Sequence, residues 1–200
     1  MRVSLKRLGK KPFFAVLTEE GEPLGLVDFE GKGRLRLSDG CEADGAELEA
    51  EIAESEKRIA RSHAYFLLSR RDYSTGELIK KLTELPVSEE AAEHAAAHLT
   101  ELGYVRDGEY AARVAAHYAA AGNGPLKVSA ELRRRGFDSA TAEEALAALE
   151  ESFDYPESAR AEAEKKFGPL GELSWEQKGK ITAFLARRGF TYDQISRALG

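Results

Sequence analysis

Two similar segments each contain consecutive arginines just before a final Gly-Phe pair. These side chains are the strongest candidates in the sequence for a chemical role. The segment GPLKVSAELRRRGF (124–137) places three arginines before Gly-Phe, and QKGKITAFLARRGF (177–190) places two before the same pair. A guanidinium group binds carboxylates and phosphates through paired hydrogen bonds. A cation in the last turn of a helix also gains about 0.3–1 kcal/mol from the helix dipole. The pattern therefore indicates either recognition of an anionic partner or a purely structural role.

Three arginines in a row exceed what the helix dipole explains, because their side chains point in different directions and repel one another. Further lysines and arginines occur at related positions, and repetition of the unit described below would align them along one edge of the molecule. Such a row fits a long polyanionic or acidic partner. The predicted partner-binding residues are Arg70, Arg71, Lys80, Lys81, Lys127, Arg133, Arg134, Arg135, Lys178, Lys180, Arg187 and Arg188.

Residues that could support catalysis are few. His94 and His98 have the i,i+4 spacing of a helical metal pair, but alanines surround them and the chain has no HExxH. The segment GNGPLKVS (122–129) lacks the phosphate-loop pattern and is interpreted as a turn. Cys41 has no motif around it. We predict no catalytic residue, no cofactor and no metal; a metal-dependent enzyme that uses the two histidines is the least favoured alternative.

The composition is typical of a folded protein in a reducing compartment. Hydrophobic residues make up 42% of the 200 residues, charged residues 32%, and the net charge is −6. A dedicated nucleic-acid-binding protein is usually strongly basic, so the negative net charge argues against that class. The single cysteine excludes an intrachain disulfide, and no apolar run nears the roughly 18 residues of a membrane helix. Polar residues interrupt the basic N-terminal segment too early for a signal peptide, so we expect a cytoplasmic protein.

Strands and then helices must position these side chains. Residues 3–37 predict strands, because VSLKRL alternates, FFAVL and PLGLV are short apolar runs, and TEEGEP suits a hairpin loop. Three short strands bury little by themselves, so we expect them to pack against the next part of the chain. From about residue 46 onward, apolar residues recur at helical spacing and only helices are predicted.

An internal repeat organises the helical part. Leu82, Leu132 and Leu185 align with one another, and so do the residues around them. We predict three units of about 50 residues, each with a first helix, a short second helix, a tight turn and a third helix. The fold class is mainly α, with three tandem three-helix, helix-turn-helix-like repeats in an elongated curved array and a small N-terminal β-rich extension. The predicted domains are a β-hairpin or meander extension over 1–45, a linker helix with repeat 1 over 46–104, repeat 2 over 105–154 and repeat 3 over 155–200.

The Gly-Phe pairs predict how the helices end. In a Schellman motif, glycine occupies C′ with a left-handed backbone, and an apolar residue at C″ packs on C3. Phe137 would then contact Leu132, and Phe190 would contact Leu185; Gly103-Tyr104 fits the same pattern. We therefore expect positive φ at the glycines and interpret both phenylalanines as core and cap residues rather than ligand contacts.

A DNA-reading helix-turn-helix is disfavoured by charge. The predicted third helices, 88–102 and 138–153, contain several acids and no lysine or arginine. Phosphates would repel these helices if they entered a DNA groove.

Three segments carry a resemblance to a known family. They are HAYFLLSRRDYSTGELIKKL (63–82), LTELGYVRDGEYAARVAAHYAAAGNGPLKVSAELRRRGF (99–137), and AEKKFG (163–168) with KITAFLARRGFTYDQISRAL (180–199). In order and spacing they resemble the RecX regulatory proteins, and the N-terminal strands resemble an extension found in some members. Two features depart from the family. Arg106-Asp107 replaces an acidic pair, where Asp107 is expected to cap the next helix, and Pro86 stands where the other units have glycine.

The resemblance implies a non-enzymatic regulator. RecX proteins bind the RecA recombinase filament, lodge in its helical groove and restrain its ATPase, strand-exchange and SOS co-protease functions during DNA repair and recombination. The implied partners are RecA and the RecA–single-stranded DNA filament, with weak direct DNA contact, no cofactor and no membrane; we expect a monomer. The alternative is a helical-repeat DNA-binding protein that acts without a recombinase partner, which affinity for bare DNA with a steep salt dependence would favour.

Overall fold

An antiparallel four-stranded sheet forms the N-terminal part of the computed structural model, which describes residues 1–200. Its order is β3-β2-β1-β4, and the hairpin loop between the second and third strands lies where TEEGEP predicted it. The three predicted strands are confirmed, and a fourth strand of two residues lies beyond the range 3–37 in which strands were predicted. The strands are β1 (Arg2–Arg7), β2 (Phe13–Thr18), β3 (Pro23–Asp28) and β4 (Cys41–Glu42).

Ten helices make up most of the remaining chain, so the mainly α fold with a small N-terminal sheet is confirmed. None of them is both long and apolar enough to cross a membrane. They are α1 (Phe29–Arg34), α2 (Gly45–Leu68), α3 (Thr75–Leu82), α4 (Glu89–Glu101), α5 (Asp107–Ala120), α6 (Pro125–Arg134), α7 (Ser139–Glu150), α8 (Tyr155–Phe167), α9 (Trp175–Arg187) and α10 (Tyr192–Leu199).

Helix α1 corrects the prediction of strands throughout 3–37. The carboxylate of Asp28 accepts a hydrogen bond of 2.8 Å from the backbone N–H of Gly31 and caps the first turn. Gly31 permits close packing on α2, because a Cβ there would collide with the side chains of Ser55 and Glu51. The short helix therefore depends on a cap and on a tertiary contact, neither of which produces helical hydrophobic periodicity.

Helix α2 is a single helix of 24 residues, where the sequence predicted a linker helix followed by the first helix of repeat 1. No glycine or proline follows its first residue to interrupt it. At its start, Asp44 accepts hydrogen bonds from the backbone N–H groups of Ala46 and Glu47. Helix α9 corresponds to the predicted second helix of repeat 3. That helix was predicted to be short, but α9 has 13 residues.

The sheet packs on the first half of α2, which confirms the expectation that the strands pack against the next part of the chain. Val16 and Val27 of the sheet form one apolar cluster with Leu48 and Ile52 of α2. The buried carboxylate of Glu56 accepts hydrogen bonds from the N–H groups of Leu26, at 3.1 Å, and Ser88, at 2.9 Å. Helix α2 thus joins the sheet and the start of α4.

The chain forms two compact units, Met1–Val105 and Arg106–Gly200. The first contains the sheet and α1–α4, with Leu78, Leu82 and Leu99 fully buried in its helical core. The second contains α5–α10 around a continuous core. The finer division into four parts stays a prediction.

Schellman motifs close the helices as the sequence predicted. Gly136 and Gly189 have φ of 76° and 88°. The N–H of Phe137 donates to the carbonyl of Leu132 at 3.3 Å, and that of Phe190 to Leu185 at 3.2 Å. Both phenylalanine side chains are buried. The motif at Gly103 is also present, although Tyr104 there is 58% exposed. A fourth motif at Gly122, where Asn123 donates to Tyr118, was not predicted.

Side chains cap most of the helix starts. Ser174 with Gln177, and Thr191 with Gln194, form complete capping boxes at α9 and α10. The expectation that Asp107 caps α5 is wrong, because Asp107 is the first helical residue and Arg106 occupies the N-cap without a side-chain hydrogen bond. A carboxylate in the first turn still interacts favourably with the helix dipole.

Candidate interaction surface: the cations of the second helices

The predicted partner-binding residues divide between the two compact units. Arg70 and Arg71 follow α2, and Lys80 and Lys81 lie in the last turn of α3. The other eight belong to the second unit, on α6, on α9 and at the ends of these helices. Alignment of all twelve along one edge stays a prediction. What the structure decides is which of these side chains already have partners.

Six of the twelve cations are exposed and form no salt bridge. Among them, Arg133 donates to the hydroxyl of Ser129 at 2.7 Å, and Lys178 donates to the carbonyl of Gly200 at 3.3 Å. Neither contact neutralises the positive charge, so these side chains can still bind an external anion. The six residues are Arg70, Lys80, Lys127, Arg133, Lys178 and Arg187.

Three other cations form salt bridges at the surface. Lys81 lies 2.7 Å from Glu84, and Lys180 lies 2.7 Å from Glu176. Arg71 binds both carboxylate oxygens of Glu77. Exposed ion pairs contribute only about 0–1 kcal/mol, so an anionic partner can displace these carboxylates at little cost.

The end of α6 is organised by the carboxylate of Glu131, whose side chain is 10% exposed. Arg134 donates two hydrogen bonds to it, at 2.7 and 2.6 Å, and Arg135 donates one at 2.7 Å. The hydrogen bonds from Arg134 are the largest influence that lowers the pKa of Glu131, to about 2. Arg135 also donates to the hydroxyl of Tyr110 at 2.7 Å. Its side chain is 25% exposed, whereas that of Arg134 is 68% exposed, so Arg135 faces the protein and Arg134 faces solvent.

The end of α9 divides its two arginines in the same way. Arg188 forms a salt bridge of 2.7 Å with Glu162, whose side chain is 14% exposed. The same guanidinium donates to the carbonyl oxygens of Ala121 and Gly122 at 3.1 and 3.2 Å. It thereby satisfies carbonyl groups that the end of α5 leaves without helical partners. Arg187 is exposed and has no such contact.

Two glycines let the end of α9 meet the start of α6. The N–H of Gly124 donates to the carbonyl of Arg188 at 2.9 Å, and the N–H of Leu126 donates to that of Gly189 at 3.1 Å. A Cβ on Gly124 would collide with the backbone of Gly189, which leaves no room for any side chain. A Cβ on Gly189 would lie 2.5 Å from the backbone nitrogen of Lys127. Lys127 is therefore brought beside the arginines of α9.

Two carboxylates that position these arginines were not predicted. Glu131 precedes Arg134 and Arg135 by three and four residues, a helical spacing that pairs side chains and could have been recognised. Glu162 lies on another helix from its partner Arg188, so no local pattern indicates the pair.

The histidine pair and the acidic third helices are the other features that the sequence singled out. His94 and His98 lie on α4, and no group of three His, Cys, Asp or Glu side chains in the structure could hold a metal ion. The segment 122–129 forms a turn and the start of α6, as interpreted from the sequence. Helices α4 and α7 expose carboxylates, among them Glu93 and Glu143, on the elements that would have to enter a DNA groove.

Known proteins resemble the chain in both sequence and fold. Family models described as the second and third three-helix domains of RecX match residues 107–146 and 154–199. Proteins called "Regulatory protein RecX" are 42% identical over 134 residues in Stenotrophomonas maltophilia and 39% identical over 132 residues in Xanthomonas axonopodis pv. citri. Each alignment covers 66% of this chain and 80% of the relative.

Crystal structures show the same fold. One described as regulatory protein RecX covers 98% of both chains with a TM-score of 0.65 and 21% identity. Another, of RecX from Lactobacillus salivarius, covers 73% of this chain and 96% of its own with a TM-score of 0.64 and 24% identity. The sequence identity to the curated relatives goes beyond a shared fold: this chain belongs to the RecX family of regulatory proteins.

Proposed function

We propose that this protein is a non-enzymatic, cytoplasmic regulator that binds the RecA recombinase filament and inhibits its ATPase, strand-exchange and SOS co-protease activities. The observation that carries the proposal is its membership of a family whose curated relatives are named regulatory proteins. Its partners are RecA and the RecA–single-stranded DNA filament, and direct contact with DNA is weak. It acts as a monomer built of the extension 1–45 and three-helix repeats within 46–104, 105–154 and 155–200.

The charge distribution supports an anionic partner. Six exposed cations have no carboxylate partner, and Lys127 lies beside the arginines at the end of α9. The twelve predicted cations are the proposed contacts with RecA or DNA. The exposed acids of α4 and α7 favour a composite surface of protein and DNA over bare DNA, since a phosphate backbone would repel those helices.

Co-sedimentation with the cognate RecA on single-stranded DNA tests the proposal. We expect the protein to pellet with RecA filaments formed in the presence of a slowly hydrolysed ATP analogue. It should stay in the supernatant with the same DNA alone at the same ionic strength. Added to filaments that hydrolyse ATP, it should lower the DNA-dependent ATPase rate.

The DNA-binding alternative makes the opposite prediction. Equal pelleting with DNA alone, with an affinity that falls steeply as salt increases, would replace the regulator by a DNA-binding helical-repeat protein. Normal ATPase and no pelleting with filaments would reject RecA as the partner.

A further inference from the structure

A cleft of about 700 Å³ lies in the first unit, where the turn before β2, the start of α1 and one face of α2 meet. Phe13 and Ile59 are buried in its lining, and Leu85 also contributes to it. Phe29 and Phe66 line the same cleft but are 57% and 52% exposed. The cleft is therefore an apolar depression that keeps two aromatic rings in contact with solvent.

The two exposed rings are held in place within the protein. Phe29 packs edge-on against Phe14 at 5.2 Å, and Phe66 stacks on His63 at 5.9 Å. Aromatic residues that are ordered yet exposed, around a depression with a buried apolar lining, are typical of interaction sites. No segment of residues 1–200 covers these rings.

Two cations beside the cleft lack carboxylate partners. Lys11 is exposed in the lining, with its Nζ 5.5 Å from the ring of Phe13. At the rim, the guanidinium of Arg70 lies 5.1 Å from the ring of Phe66. Burial and the charge of Lys11 lower the pKa of His63, against the opposing influence of Glu84. The positive charge of Lys11 therefore acts on groups inside the cleft.

The carboxylates in the cleft wall are already paired. Asp28 lies 2.7 Å from Arg58, and Glu30 lies 2.7 Å from Arg34. They therefore do not neutralise Lys11, but they retain lone pairs that can accept hydrogen bonds. The cleft offers an apolar surface, a cationic rim and hydrogen-bond acceptors on one wall.

We propose that this cleft binds a segment of a partner protein that carries large apolar side chains flanked by carboxylates. Its apolar side chains would contact Phe29 and Phe66, its carboxylates would pair with Lys11 and Arg70, and its backbone N–H groups could donate to the wall. A nucleic acid fits less well, because its phosphates cannot donate hydrogen bonds to the carboxylate oxygens of Asp28 and Glu30. A small ligand would remain largely exposed beside rings that are themselves half exposed.

Fluorescence anisotropy with a labelled peptide tests the proposal. The probe is fluorescein-labelled Asp-Glu-Phe-Leu-Glu-Asp, titrated with the full-length protein at low salt. We expect saturable binding that weakens at least about tenfold in Lys11→Glu, because the rim charge is reversed. Phe66→Ala should weaken it by a similar factor, because an apolar contact is lost. Circular dichroism checks that each variant remains folded.

Matched variants test whether binding of the probe depends on the cleft itself or on charge and apolar surface in general. Lys10→Glu changes the neighbouring residue in the same turn, and Tyr65→Ala changes an exposed ring on α2 that lies outside the cleft. Both should bind the probe as the wild type does. Peptides with Lys in place of the acids, or Ala in place of Phe-Leu, should not bind.

Three outcomes would overturn the proposal. They are absence of saturable binding, equal weakening by the cleft and control variants, and equal affinity for the lysine-containing peptide. Binding of a labelled single-stranded oligonucleotide that is lost in Lys11→Glu and Phe66→Ala alone would assign the cleft to nucleic acid instead. No arm contains RecA, so failure here is distinct from failure of the proposed function.

Discussion

At the scale of single residues, adjacent arginines have different environments at two helix ends. Arg134 and Arg187 face solvent, whereas Arg135 and Arg188 bind protein groups on the inner side. The repeated Arg-Arg-Gly-Phe predicted either a structural role or recognition of an anionic partner, and the structure contains arginines suited to each role. Arg135 and Arg188 have structural contacts, whereas the exposed Arg134, which is paired with Glu131, and the exposed, unpaired Arg187 are the proposed partner contacts.

Charge reversal of the outward arginines tests their role in binding. We expect the double variant Arg134→Glu, Arg187→Glu to inhibit the RecA ATPase much less than the wild type, because attraction becomes repulsion. The loss should be largest at low salt, since exposed charges are screened over about 8–10 Å at ordinary ionic strength. Inhibition at the wild-type concentration, with helicity intact, would contradict the assignment.

A matched variant removes a complication of that experiment. Arg134→Glu places a second carboxylate beside Glu131, which could lower stability as well as binding. Arg187 has no ion-pair partner, so Arg187→Glu alone changes the surface without this effect. A part of the loss should persist in this single variant.

The inward arginine of α9 should affect stability instead. We expect Arg188→Ala to lower the free energy of unfolding by about 2 kcal/mol, because Glu162 and the carbonyl groups of Ala121 and Gly122 lose their partner. Arg187→Ala should change it by less than about 0.5 kcal/mol, as is usual for exposed positions. Urea denaturation of both variants gives the comparison, and equal losses would refute the division of roles.

Glu131 should make stability depend on pH in acid. Its pKa is lowered to about 2 from 4.5, so the stabilisation is present above pH 4.5 and is lost as the pH falls toward 2. The difference in unfolding free energy between wild type and Glu131→Gln should therefore be constant near neutrality and shrink in acid. Urea titrations at several pH values measure it, with Glu143→Gln on α7 as the control; a difference that persists at the lowest pH would argue against this role of Glu131.

At the scale of elements, the two closing glycines have the same backbone but different surroundings. Gly136 is exposed, whereas Gly189 is buried against the backbone of Lys127. Both require a left-handed conformation that side chains with a Cβ resist by roughly 1–2 kcal/mol. At Gly189 a Cβ would also collide with the backbone at the start of α6.

Substitution of these glycines separates the cost of the left-handed backbone from the cost of the collision at Gly189. We expect Gly136→Val to destabilise by at least about 1 kcal/mol, because its backbone is left-handed. Gly189→Ala should cost more than Gly136→Ala, because its Cβ would lie 2.5 Å from a backbone atom that cannot move freely. Thermal and urea unfolding measure both, and an unchanged melting temperature for Gly136→Val would count against the Schellman assignment.

At the scale of the whole molecule, the sheet and α2 share a core. If only the apolar positions within each repeat are considered, the helical part is expected to fold without residues 1–45. In the structure, Leu48, Ile52 and Ile59 of α2 pack against strand residues. Removal of the strands would expose these side chains and leave the carboxylate of Glu56 without its bond to Leu26.

Two fragments test this organisation. We expect residues 106–200 to unfold cooperatively as an isolated helical fragment, because their core cluster lies entirely within this range. The fragment 46–200 should contain the same transition together with a weaker one from the exposed α2. Circular dichroism on heating resolves them; a fragment 106–200 without a cooperative transition would show that its core needs the first unit.

The features that the sequence predicted depend on residues close together in the chain. A Schellman motif spans six residues, so Gly136 and Gly189 carry their own signals. The helical periodicity and the family resemblance likewise depend on contiguous segments of the sequence. The mainly helical fold and the cations proposed to bind a partner could therefore be named from the sequence by itself.

At the end of α9, tertiary structure alone decided which of the two arginines is free. Arg187 and Arg188 are neighbours of the same type, but the groups that hold Arg188 include a carbonyl 66 residues away and a carboxylate on another helix. The short helix after β3 and the cleft beside Phe66 likewise arise where distant segments meet. Local sequence specifies helices and their ends because those interactions close within one or two turns, whereas the exposure of a charge depends on which segments pack around it.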